Sequence, residues 1–164
     1  SDPRLVISAE DWQTQQEMME QVEQHIADIH QAVNNMRKLK QQLTALNDVL
    51  EEKGEATELV ETGKKLVEKM ENLESELVEP RTKSIQDVIN WPGKLNAEFF
   101  VLKNKLDTHD PRVTEGVRSR LTDLEEQWAE HRQILRQMLE NDVPAFNRKY
   151  REMEIPALIV PQME

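Results

Sequence analysis

From Met19 onward, apolar residues recur three and four apart: Met19, Val22, Ile26, Ile29, Val33 and Met36. That spacing returns side chains to one face of an α-helix. The stripe shifts by way of Leu39 to Leu43, Leu46 and Leu50, while Gln, Glu, Asn and Lys fill the other faces. "SAEDWQ" supplies a start. Ser8 suits an N-cap, Asp11 stands three residues later, and acidic residues in a first turn complement the helix dipole. No Gly or Pro intervenes before Gly54, so the pattern predicts a first helix over about 9–53, roughly 60 Å long.

A second helix is predicted over about 56–79. Leu59, Gly63, Leu66, Met70, Leu73 and Leu77 keep the alternating spacing of four and three until Pro80. Gly63 lies on the stripe itself, which marks a close helix approach. Ile85, Val88 and Ile89 predict a short helical turn over 82–90. "NWPG" then reads as a corner, with Pro92 at a first helical position. A third helix follows over 92–107, with Leu95, Phe99, Leu102 and Leu106 on one face. After the turn "DTHDPRVTEG", Thr114 is a candidate N-cap. The last helix, over 114–152, carries Val117, Leu121, Leu124, Trp128, His131, Leu135 and Met138 and is expected to kink near Pro144. Phe146 and Tyr150 lie beyond the kink. The tail 155–164, "IPALIVPQME", reads as an extended strap. Four amphipathic helices with short connections predict an all-α fold: an antiparallel four-helix bundle forming one domain over 1–164.

Composition agrees with helices. Only 37% of residues are hydrophobic and 4% aromatic, with four Gly and one Tyr, while Glu, Gln, Leu, Lys, Met and Arg abound. The formal charge of −11 would repel phosphate backbones, which argues against nucleic acid as a partner. No run approaches the ~18 apolar residues of a membrane helix, so membrane insertion is not expected. The lack of Cys removes disulfides and thiolate chemistry. The chain begins "SDPRL" without an initiator Met and with no signal peptide, and is expected to be a piece of a longer polypeptide.

Candidate chemistry is sparse. In "HIADIH", His25 and His30 stand five apart, which points their rings about 140° away from each other on a helix. They do not match the four-residue spacing of a zinc pair. His131 falls on the last helix's apolar stripe and is expected to be a neutral histidine bonded to a neighbouring polar side chain. Di-metal bundles use Glu-x-x-His on paired helices, and "EEQWAEH" offers none. Carboxylate runs such as "EKMENLESELVE" read as solvated faces with partners four residues away. No phosphate loop or nucleophile elbow is present. No catalytic, cofactor-binding or metal-ligating residue is therefore assigned, and no cofactor is expected. Most aromatics lie on the stripes. Trp12 and one of the adjacent pair Phe99 and Phe100 cannot, and these are the expected anchors of a partner surface.

"DPRLVISAEDWQTQQEMMEQVEQHIADIHQAVNNMRKLKQQL" resembles the start of the helical C-terminal region of bacterial sortilin-type β-propeller proteins, often labelled BNR-repeat glycosyl hydrolases. "INWPGKLNAEFFVLKNKLD" and "VTEGVRSRLTDLEEQWAEHRQILRQMLENDVPAFNRKYREMEIPAL" resemble the end of that region. The likeness covers most of the chain and carries no catalytic signature. It implies an exported bacterial parent whose propeller is absent here, so no active residue transfers. The expected role is a non-catalytic helical appendage for packing, assembly or partner interaction. Its partner would be the parent's own missing domain or another chain, including a second copy. The alternative is a self-contained bundle that binds a small ligand or metal in its core, with Trp128 and His131 lining the site.

Overall fold

A computed structural model describes residues 6–79 and 93–161. The fold is all-α, with four main helices packed on one another and no strand among the described residues. Helix α1 spans Ala9–Glu52, α2 Thr57–Leu77, α3 Leu95–Leu106 and α4 Glu115–Gln137. A π-helical turn, Met138–Asp142, leads into α5, Val143–Glu152. The short helix expected over 82–90 and the Trp91–Pro92 corner lie outside the described residues.

Local sequence explains where the helices begin and end. Asp11 N–H donates to Ser8 Oγ at 3.1 Å, and Ser8 N–H and Oγ both donate to Asp11 Oδ2 at 2.8 Å. This reciprocal capping box satisfies groups that the first turn of α1 leaves free. At the other end Gly54 adopts φ +66°. Its N–H bonds to Glu51 O, and Glu55 N–H reaches back to Leu50 O, the pairing of a Schellman stop. Thr114 caps α4, accepting from Val117 N–H at 3.3 Å.

Helix α3 begins at Leu95, three residues later than the proline-led start expected at 92. Lys94 is extended (φ −94°, ψ −168°), so the helix cannot reach back through it. Gly93 lies against Ala97, where an added Cβ would come within 2.7 Å of the Ala97 Cβ. The irregularity expected near Pro144 precedes that residue. Val143 N–H bonds five residues back to Met138 O, and Gln137, Asp142 and Val143 all keep helical torsions. Proline has no N–H and its ring crowds the carbonyl four residues back. The widened turn absorbs that conflict, and the chain continues helically.

Contacts group the chain into two compact units. The first comprises Ser1–Ala32 and Glu76–Glu130, the second Val33–Ser75 and His131–Glu164. In the first, Val22, Ile26 and Ile29 of α1, Phe99 and Leu102 of α3, and Leu124 and Trp128 of α4 are buried. Glu23 pairs with Lys103 and His30 with Asn96, while Glu98 pairs with Arg120. In the first two pairs α3 numbering falls as α1 numbering rises, so these helices run antiparallel. Met18, in place of the expected Met19, completes the α1 stripe, which continues back to a buried Gln15.

In the second unit Val33, Met36, Leu43 and Leu50 face Leu59, Leu66, Met70 and Leu73 of α2, with Met138 and Phe146 also buried. Arg37–Glu74 and Glu51–Lys64 set α1 and α2 antiparallel, and Lys69–Asp142 with Glu58–Lys149 do the same for α2 and the π turn and α5. Beyond α5, Tyr150 OH donates to Pro156 O. Ile155 and Ile159 are half-buried, whereas Leu158 and Val160 face solvent. The strap is thus covered on one side only over 155–161.

Candidate functional site

Three places in the first unit concentrate polar groups or uncovered apolar side chains among the described residues. The first is the end of the first unit where α1 begins. Gln15 Nε2 donates to Leu106 O at 2.5 Å and to Thr108 O at 3.1 Å, pinning the turn after α3. Asp110 grips Arg112 there, accepting from its backbone N–H at 3.1 Å and its Nε at 2.8 Å. The guanidinium and backbone bonds of Arg112 pull the Asp110 carboxyl from 3.8 down to about 2. Asp11 is likewise held below its ordinary value, mainly by the Ser8 backbone and hydroxyl bonds. A cavity of about 210 Å³ lies beside this loop, lined by Gln15, Arg112 and Thr114. Asp110 and Arg112 already hold one another there, so the corner acts as a loop clamp.

The second place is the half-buried histidine pair of α1. His25 Nε2 meets Glu125 Oε1 at 2.9 Å, and its ring lies 5.3 Å from that of Phe99. His30 contacts Asn96 at 3.4 Å and the Phe100 ring at 6.2 Å. The two rings therefore engage different partners. Among the described residues no three His, Asp or Glu side chains gather as a metal site would need.

The third place is α3 itself. Phe99 is 0% exposed, yet Phe100 is 41% and Val101 50% exposed. Successive helical residues are 100° apart, so four apolar residues in a row must put some outward. Trp12, 50% exposed on α1, also turns outward in this unit. Both were legible as misfits from their stripes.

His131 and Trp128 belong to different units. Trp128 is buried, and its Nε1 makes no hydrogen bond among the described residues. His131 is half-buried with a buried Nδ1 that also lacks a partner. Among the described residues no polar side chain holds it. The stripe position that recommends a buried histidine says nothing of what stands opposite.

In the second unit a cavity of about 490 Å³ opens beside the α1–α2 turn, lined by residues that include Glu51, Val60, Lys64 and Glu68. Lys64 donates to Glu51 at 2.8 Å, and that bond raises the ammonium pKa. A rim that carries Glu55, Glu61, Lys65 and Glu68 besides the Glu51–Lys64 pair offers little to an apolar ligand. No described helix is long and apolar enough to cross a membrane. Comparison with protein-family models, characterised proteins and solved structures finds no match.

Proposed function

We propose that this chain is a non-catalytic helical module that packs against another protein surface. The surface belongs either to a further domain of a longer polypeptide, as the propeller resemblance implies, or to a separate chain. The observation that carries the reading is α3. A surface helix of a globular unit shows one apolar stripe, and a helix apolar all round is a buried one. Helix α3 fills the core with Leu95, Phe99 and Leu102 and still turns Phe100 and Val101 outward. An outward aromatic beside an aliphatic suits the centre of a protein contact, where aromatic anchors dominate binding.

The first test is the mass of the native polypeptide, detected in its source cells with an antibody to this segment. A species several times larger than 19.2 kDa, or a stable complex that Phe100→Asp disrupts without lowering the melting temperature, supports the module. A free 19.2 kDa species whose associations are indifferent to Phe100→Asp would sink it. A second reading, a bundle that binds a ligand in its core, has one observation in its favour: the buried Trp128 indole N–H, which has no partner among the described residues. Thermal melts across metals, EDTA and small hydrogen-bond acceptors address it, because a ligand of the folded state alone raises the midpoint.

A further inference from the structure

In the second unit the α1–α2 seam contains a pair that hydrophobic packing alone would not select. Asn47 stands between the buried Leu43 and Leu50 and is itself 3% exposed. Its Oδ1 makes no hydrogen bond among the described residues. Opposite lies Gly63, buried on the α2 stripe. A Cβ added to Gly63 would fall 2.3 Å from Asn47 Oδ1 and 2.8 Å from Nδ2. The amide therefore lies against bare glycine backbone, in space that an alanine would take away.

Each residue is locally unfavourable. A buried, underbonded amide loses hydration without full repayment, and glycine is a poor residue inside a helix. Their joint placement has a geometric consequence. The remaining α2 stripe (Leu59, Leu66, Met70, Leu73 and Leu77) is close to uniform in size and polarity, so it separates one antiparallel alignment from the next only weakly. Sliding α2 by one turn would set Leu59 or Leu66 against Asn47 and Leu43 or Leu50 against Gly63. The amide would then meet an aliphatic side chain in place of its niche. A single polar residue in an apolar helical seam is the best-attested device for fixing register. The ion pairs Arg37–Glu74 at 2.7 Å and Lys64–Glu51 at 2.8 Å agree with the same alignment, but both have an exposed partner and are screened by salt.

We infer that Asn47 and Gly63 form a register key, holding α1 and α2 in one antiparallel alignment and excluding the shifted ones at the expense of stability.

The chain has no Cys, so Gln41→Cys with Glu68→Cys, both at exposed positions, gives two defined spin-label sites, one on each helix. Pulsed electron resonance on the full chain should show one narrow distance distribution. Adding Asn47→Leu should broaden or split it, with a new component displaced by about one helical turn, roughly 5 Å. Asn47→Ala, which removes the amide without adding bulk, should do the same. A narrow distribution with an unchanged mean in both variants overturns the inference, whatever happens to their melting points. A second measurement checks the contact itself. Gly63→Ala should lower the melting midpoint beside Asn47 and do so far less beside Asn47→Ala. Equal losses in the two backgrounds would show that the amide does not occupy the niche, and the key would fall with it.

Discussion

Replacing Phe99 with Ala tests whether the core of the first unit is the one described. Phe99 is fully buried, its ring lies 5.3 Å from that of His25, and Leu95, Leu102 and Leu106 share its face. Truncation removes the transfer free energy of the ring and leaves a void that a close-packed interior cannot collapse, about 3–5 kcal/mol in comparable sites. Phe100 is the internal control, with the same residue type, helix and backbone but 41% exposure. Its truncation opens no enclosed cavity and should cost about 1 kcal/mol or less. With a urea slope of about 2 kcal/mol/M, Phe99→Ala should lower the midpoint by about 1.5–2.5 M and Phe100→Ala by about 0.5 M or less. The assay is urea unfolding followed by tryptophan fluorescence, because buried Trp128 lies in the same unit, with circular dichroism as a second probe. Losses that are equal, or a Phe99→Ala loss under about 1 kcal/mol, would refute the assignment of α3's inward face.

Other perturbations probe the ends and the clamp. Ala56 and Glu154 adopt φ +53° and +55° without being glycine. Ala56→Gly and Glu154→Gly should each stabilise by about 0.5–1 kcal/mol in thermal or urea melts, since the relief of left-handed strain exceeds glycine's added unfolded-state freedom. Gln15→Leu should cost about 1–3 kcal/mol, because the carbonyls of Leu106 and Thr108 lose their shared donor. Asp110 has a folded pKa of about 2, below its ordinary 3.8. Its contribution is therefore present above 3.8 and lost as pH falls through about 2. Arg112→Ala should return the carboxyl towards 3.8 in an NMR titration and flatten stability across that window. An unmoved carboxyl would exclude Arg112 as the cause.

Helices α1 and α2 were readable along their whole length because periodic apolar spacing, a Ser8–Asp11 cap and the Gly54 stop are local signals. They act within one or two turns, so neighbouring residues suffice to predict them. The expected ranges, about 9–53 and 56–79, fall within two residues of the observed Ala9–Glu52 and Thr57–Leu77. Phe99 and Phe100 were legible as a pair that one core cannot hold, and the stripe shared with Leu95, Leu102 and Leu106 already pointed to Phe99 as the inward ring. The late start of α3 was harder to foresee. Pro92 permits a helix at its own position, but the chain's approach to Ala97 is set by packing.

What the sequence determined by itself is an acidic, all-α chain with one apolar stripe per helix, together with the absence of any familiar catalytic spacing. The tertiary structure alone decided which segments share a core, because stripes of similar Leu and Met residues are nearly interchangeable until helices are brought together. It set Glu125 beside His25 across a separation of a hundred residues, Gln15 beneath the α3–α4 turn, and Asn47 on Gly63. Among the described residues it also gave the His131 Nδ1 no partner of the kind its stripe position suggested. Periodicity along one helix says which side faces inward. What lies opposite depends on the register and direction of another helix, and those are settled only when side chains of both compete for the same space.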